Sequence, residues 1–149
     1  MLTERTASDP RTACPPNRFN EKRSVACGAA EVCWGNAMGK IEAQVIDGSV
    51  EYNQQQVEAA ANTIAAIANS GIGALFGPGT EKDIGDVRTS ADPSLFENMQ
   101  DVAQLAGNMG AAANTLAEKA ATGDQSEIRM AFAEVGKTCK ACHDKYKMD

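Results

Sequence analysis

Histidine is almost absent from this sequence, since His143 is the only one in 149 residues. A zinc site of the usual four ligands could draw on no second imidazole within the chain. Aromatic residues are also scarce, at 5 % of the total. The core must therefore come from small side chains on closely packed helices together with something bulky.

Two further absences restrict the possible partners. Acidic residues number 20 against 14 basic ones, which gives a net charge of −6, whereas nucleic-acid binding would need a basic stripe. No apolar run approaches the roughly 20 residues that cross a bilayer. We therefore expect neither nucleic-acid binding nor a membrane span.

The first 20 residues differ in composition from the rest of the chain. They contain three prolines, Pro10, Pro15 and Pro16, which oppose regular helix, and few apolar residues to bury. They also lack the apolar stretch of a signal peptide, so no signal peptide is visible. We predict an irregular tail over residues 1–20 and one domain over residues 21–149.

Apolar residues recur at steps of three and four along most of the remaining chain, which predicts amphipathic helices. The first helix is predicted over about Glu21–Ile46 and the second over about Tyr52–Asn69, and a Gly-rich connection over 72–91 follows. Asp92-Pro93 predicts the start of the third helix. Gly123 predicts the end of that helix, and the fourth helix follows it. Four amphipathic helices joined in this order predict an all-α, up-and-down antiparallel four-helix bundle.

The third and fourth helices have the clearest apolar faces. Steps of four and three in the third helix are typical of nearly antiparallel packing, and Asp124 with Glu127 predicts a capping box for the fourth. The predicted seam of the third helix is Leu95, Met99, Val102, Ala106, Met109, Ala113, Leu116 and Ala120, and the predicted face of the fourth is Ile128, Phe132, Val135, Cys139, Cys142, His143 and Tyr146.

Residues 139–143, Cys-Lys-Ala-Cys-His, form the attachment motif of a c-type haem. Two thiols at this spacing can bond covalently to the haem vinyl groups, and the adjacent imidazole can reach the iron. Because there is no second histidine, the opposite face of the iron is left to methionine, water, a diffusible gas or nothing. The haem also supplies the bulk that a core of small side chains needs.

Other interpretations of the two cysteines fit less well. A zinc site would have to recruit cysteines from the beginning of the chain, and a redox dithiol expects a βαβ setting. The three remaining cysteines are Cys14, Cys27 and Cys33, an odd number that cannot all pair within one chain. We interpret them as packing or exposed thiols, and residues 1–34 as either a divergent extension or an altered start of the coding region.

From about Gly35 to Lys147 the sequence resembles the cytochromes c′, a class II c-type cytochrome family. The resemblance lies in residues 135–138 before the haem motif, in residues 144–146 after it, and in residues 76–81 of the long connection. It implies a four-helix bundle, commonly a homodimer, with one covalently attached haem c near the C-terminus. It also implies an iron that is five-coordinate and open to NO and CO on an apolar distal face.

The resemblance assigns roles to individual residues. His143 is implied as the axial iron ligand, and Cys139 with Cys142 as the thioether residues. The resemblance further implies that Thr80 and Glu81 lie near the haem edge. The candidate for an arginine beside the haem propionates is Arg23, while Lys147 stands where the family often has Arg and lacks its planar fork. Periodicity leaves Val25, Ala29 and Val32 as candidates for the distal residue.

The expected function is NO and CO binding at the open iron position, in nitric oxide buffering and electron transfer. The alternative is a six-coordinate, low-spin soluble electron carrier with a methionine ligand, for which Met38, Met99 and Met109 are the candidates. We expect no enzyme activity, because no nucleophile or acid–base pair is evident. The location expected for such a protein is the periplasm, and its redox partner is unknown.

Overall fold

The computed structural model describes residues 32–75, 77–83 and 88–148, and these residues form a four-helix bundle as predicted. Helix α1 is described from residue 32, is α-helical to residue 41 and continues as a π-helix over Glu42–Ile46. The other helices are α2 (Gln54–Ala68), α3 (Met99–Thr122) and α4 (Gln125–Tyr146). Helix α3 packs against α2 and α4, and α4 also packs against the π-helical end of α1.

The predicted tail, and the part of the first helix predicted before residue 32, lie outside the described residues. The long connection contains a short 3₁₀ helix, Ile72–Leu75. In the described part of the chain, extended pairing is limited to one antiparallel bridge, between Ala91 and Lys147. None of the helices described here has the length and apolar character that a membrane crossing requires.

Side chains next to the helix ends explain where α2 and α4 begin. The Asn53 side chain accepts a hydrogen bond from the Gln56 amide at 3.0 Å. The Asp124 carboxylate accepts from the amides of Ser126 and Glu127 at 2.9 and 3.1 Å, and so satisfies donors that have no partner within the helix. Gly123, with φ of 75°, ends α3 in the left-handed conformation that glycine favours.

The capping box predicted for α4 is only half formed. The Glu127 carboxylate pairs with Lys119 Nζ at 3.0 Å, and the Asp124 amide donates to Thr122 Oγ1 at 3.3 Å. The reciprocal bond from Glu127 is therefore replaced by an ion pair with the preceding helix. That pair brings the end of α3 and the start of α4 together across a tight turn.

The predicted start of the third helix is wrong. Asp92 caps a short 3₁₀ helix, Pro93–Glu97, by accepting from the Ser94 amide at 2.8 Å. The chain then breaks at Asn98, whose side-chain amide donates to the Ser94 carbonyl at 2.9 Å. Because this local bond competes with helical pairing, the α-helix begins six residues after Pro93, at Met99.

The fully buried core lies where α1 and α3 end and α2 and α4 begin, and we call this the core end. The largest buried side chains are Ile41, Ile64, Leu116, Ile128, Val45, Val57 and Val135. Burying each of them stabilises the fold by roughly 1.5–3 kcal/mol. At the opposite end, Met99 and Ala106 of the predicted α3 seam are exposed, whereas Leu105 is half-buried.

The π-helical segment closes the core end with polar contacts. Gln44 is buried, donates to Gln56 Oε1 at 3.0 Å and accepts from the Asn53 amide at 2.8 Å. Arg129 of α4 donates to the carbonyls of Val45 and Ile46. Both contacts satisfy polar groups at the end of α1 that burial would otherwise penalise.

Asp124→Ala is expected to lower the free energy of unfolding by about 1 kcal/mol, because two amides at the start of α4 lose their acceptor. Urea denaturation of the holoprotein, followed by circular dichroism, measures this change. Asp124→Ser is the matched control and should retain most of the stability, because serine also caps helices. Equal stability of the alanine variant and the wild type would contradict this role.

Candidate haem site

Helix α4 places the haem motif in its last two turns. Cys142 and His143 follow Cys139 by three and four residues, and residues at these spacings lie on one side of a helix. Both cysteines are half-buried, and Cys139 packs against the hydrophobic core. His143 is exposed, which leaves its imidazole free of the core.

Burial changes the acidity of the two motif thiols. It raises the pKa of Cys139 and of Cys142, and in Cys142 the nearby Asp101 carboxylate raises it further. A protonated thiol can add its sulfur and hydrogen across a vinyl double bond to leave a thioether. The donor set of two thiols and one imidazole on a single helix side therefore fits a covalently bound haem.

Helix α3 supplies apolar surface opposite the motif. It runs antiparallel to α4, so the beginning of α3 lies beside the end of α4, and we call this the haem end. Val102, Leu105 and Met109 of α3 are half-buried there. Their apolar side chains are suited to contact a porphyrin. Leu105 was missing from the predicted seam.

A polar cluster joins α3 and α4 at the haem end, and we call its three residues, Asp101, Lys145 and Tyr146, the Asp101 cluster. The Tyr146 hydroxyl donates to Asp101 Oδ2 at 2.7 Å. Lys145 Nζ donates to the two oxygens of the same carboxylate at 3.1 and 3.0 Å. These bonds lower the pKa of Asp101, and the one from the tyrosine raises the pKa of Tyr146 to about 12.

The C-terminal end of α4 is also paired with the chain before α3. The Asp92 amide donates to the Tyr146 carbonyl at 2.9 Å, and the Met148 amide donates to the Ser90 carbonyl at 2.7 Å. Lys147 lies between these two bonds as the residue after the helix, and its side chain is exposed. The bridge fixes the end of the helix that carries the motif.

Thr80 and Glu81 lie in a tight turn of the long connection, and both are half-buried. The Thr80 hydroxyl donates to the Gly77 carbonyl at 2.8 Å, and Glu81 Oε2 accepts from the Gly79 amide at 2.6 Å. Their polar groups therefore stabilise the turn itself. Their place beside the haem edge stays a prediction, as does that of Lys147, and Arg23 lies outside the described residues.

The methionine candidates occupy different environments. Met38 is half-buried against the core, Met109 is half-buried on α3, and Met99 is 48 % exposed. Among the cysteines outside the motif, Cys33 is exposed and free, which agrees with its interpretation as an exposed thiol. Cys14 and Cys27 lie outside the described residues. Within residues 32–75, 77–83 and 88–148, no three histidine, cysteine or carboxylate side chains converge as a metal-ion cluster.

Comparison with known proteins gives consistent matches. The sequence profile of the Cytochrome C' family matches residues 30–147. Cytochrome c' of Allochromatium vinosum is 58 % identical over 110 residues, which cover 74 % of this chain and 70 % of that protein.

Two solved structures share the fold. A cytochrome c' with an unusual ligand-controlled dimer dissociation has a TM-score of 0.80 at 51 % identity, covering 87 % of this chain and 97 % of that one. The nitric oxide complex of a Leu-to-Ile variant of cytochrome c prime from Alcaligenes xylosoxidans has a TM-score of 0.74 at 26 % identity, again with 87 % and 97 % covered.

Proposed function

This chain belongs to the cytochrome c′ family and carries its covalently bound haem c, and we propose that it binds NO and CO in nitric oxide buffering. The haem, when bound, supplies an iron position at which a gas molecule can coordinate. In this proposal Cys139 and Cys142 hold the haem through thioether bonds and His143 is the axial ligand. Thr80 and Glu81 remain candidates for contacts at its edge, Arg23 for a contact with its propionates and Lys147 for one near its proximal face.

The observation that carries this proposal is that the haem motif contains the chain's single histidine. One imidazole can occupy one face of the iron only, and the other face is then available to a gas. The half-buried apolar residues of α3 support the proposal, because an apolar pocket offers no hydrogen bond to stabilise O₂. The nitric oxide complex of the Alcaligenes xylosoxidans relative is in line with this chemistry.

The alternative function is electron transfer by a six-coordinate, low-spin iron with a methionine ligand. Met109 favours it most among the candidates in the described part of the chain, because its side chain is half-buried on α3 at the haem end. Methionine is more often a gap-filler than a ligand in such a position. Gas binding is compatible with electron transfer if the iron cycles between ferric and ferrous states without a methionine bond, but not with methionine ligation.

We further propose that the protein is not an enzyme, that it acts in the periplasm and that it forms a homodimer. The first proposal is supported by the motif, which provides covalent and axial ligands but no nucleophile or acid–base pair. The last is supported by the relative whose dimer dissociates under ligand control.

Absorption spectra of the ferric and ferrous holoprotein, with and without CO and NO, test the proposed function. A high-spin spectrum that shifts on adding either gas is expected, because the iron has an open position. Analytical ultracentrifugation of the same samples measures the dimer. A low-spin spectrum that neither gas changes would reject gas binding and favour the methionine-ligated carrier.

A further inference from the structure

The Asp101 cluster lies between the two helices that frame the haem end. Asp101 is in the first turn of α3, where a negative charge is favoured by the helix dipole. Its two partners are in the last turn of α4. Tyr146 comes three residues after His143 and therefore lies on the same side of the helix. The cluster thus fixes, relative to α3, the rotation of the α4 turn that carries the imidazole and its position along the helix axis.

The contacts of this cluster are strong for a partly exposed site. A hydrogen bond to a carboxylate is roughly twice as strong as one between neutral groups, and Asp101 accepts such bonds from a hydroxyl and an ammonium. Two other lysine–carboxylate pairs of α4, Lys137–Glu134 and Lys140–Asp144, join residues within one helix, and Lys119–Glu127 joins α4 to α3 at the core end. The Asp101 cluster connects the same two helices at the haem end.

Asp101 is also close to the motif itself. Its carboxylate accepts hydrogen bonds from Lys145 and Tyr146, which follow His143 by two and three residues. A fixed negative charge stabilises the ferric over the ferrous state, because the ferric iron carries one more positive charge. The Tyr146 hydroxyl and the Lys145 ammonium partly compensate this field by donating to the carboxylate.

We propose that Asp101 is a positioning residue for the haem, which fixes the end of α4 through Tyr146 and lowers the reduction potential of the iron by its charge. The proposal rests on the haem being attached to Cys142 and held by His143, as in the proposed function. It does not require that the iron bind a gas. The reaction concerned is the one-electron reduction of ferric to ferrous iron, with the electron supplied by an electrode.

Two substitutions are expected to move the potential in opposite directions. Asp101→Asn removes the negative charge, so the ferric-to-ferrous ratio at a fixed applied potential should fall about threefold. This is the effect that Coulomb's law gives for one unit charge at ~10 Å from the iron and an effective dielectric constant of about 50. For a one-electron couple, threefold corresponds to about 28 mV. Tyr146→Phe removes a hydrogen bond that partly compensates the charge of Asp101, so the ferric-to-ferrous ratio should rise.

Spectroelectrochemical titration of the purified holoproteins measures these shifts. The matched control is Glu134→Gln, which removes an exposed carboxylate from α4, five residues before the motif, and should change the ratio less than Asp101→Asn. The iron–histidine stretching frequency of the ferrous form, measured by resonance Raman spectroscopy, should change in both cluster variants and stay constant in the control.

The outcomes separate this proposal from a structural role and from the proposed function. Shifts of the same sign in Asp101→Asn and Tyr146→Phe, or an Asp101→Asn shift no larger than that of the control, would overturn it. CO and NO binding is measured on the same wild-type sample. A wild type that binds neither gas would reject the proposed function, while the comparison of potentials would still test Asp101.

Discussion

Replacing both Cys139 and Cys142 by alanine is expected to yield a polypeptide whose mass is that of its amino acids alone. The two thiols are the only groups of the motif that can form thioether bonds, and a haem without them is held by coordination and packing only. Intact-mass spectrometry of protein expressed with a functional cytochrome c maturation system measures the effect. Acid–acetone extraction should then remove all haem from the variant and none from the wild type.

Two further variants complete this test. Cys33→Ala removes an exposed thiol outside the motif and should keep both the haem mass and the spectrum. His143→Ala should keep the haem mass, because both thioethers remain, and should lose the bands of the histidine-ligated iron. A double cysteine variant that still carries covalent haem, or a His143→Ala spectrum identical to the wild type, would show that these residues are assigned wrongly.

The sequence predicted the start of α2 near Tyr52 and that of α4 at Asp124, because helix starts depend on neighbouring residues. Asn53 and Asp124 each cap a helix by accepting from amides within three positions along the chain. Gly123 ends α3 through its own backbone conformation. The haem motif could also be predicted, because its five consecutive residues identify both the cofactor and its axial ligand.

The first half of α3 was harder to predict. The expected seam was taken from the spacing of apolar residues alone. It is fully buried at Leu116 and Ala113. Toward the start of the helix Leu105 is half-buried and Ala106 is exposed, a difference that the spacing alone does not predict.

Contacts between distant parts of the chain had no signal in the sequence. Asp101 and Tyr146 are 45 residues apart and meet only because α3 and α4 run antiparallel. The bridge between Ala91 and Lys147 is similar, since neither residue lies in a segment with strand character. The arrangement around the motif therefore follows from helix packing, while the chemistry of the motif follows from residue type.

Leu116→Ala is expected to lower the free energy of unfolding of the holoprotein by about 3 kcal/mol. The side chain is 0 % exposed, so its removal loses buried apolar surface and leaves a cavity that the neighbouring helices can fill only in part. Because Leu116 lies at the core end, the absorption spectrum and its response to CO should stay unchanged. Urea denaturation and CO titration measure the two properties.

Leu105→Ala is the matched control, made at the haem end of the same helix. Leu105 is half-buried, so the loss of stability should be smaller, about 1 kcal/mol. If the side chain contacts the haem, its loss should instead shift the absorption bands and the CO affinity. A Leu116→Ala variant with altered haem spectra, together with a spectrally silent Leu105→Ala, would mean that the core end and the haem end are not energetically separate.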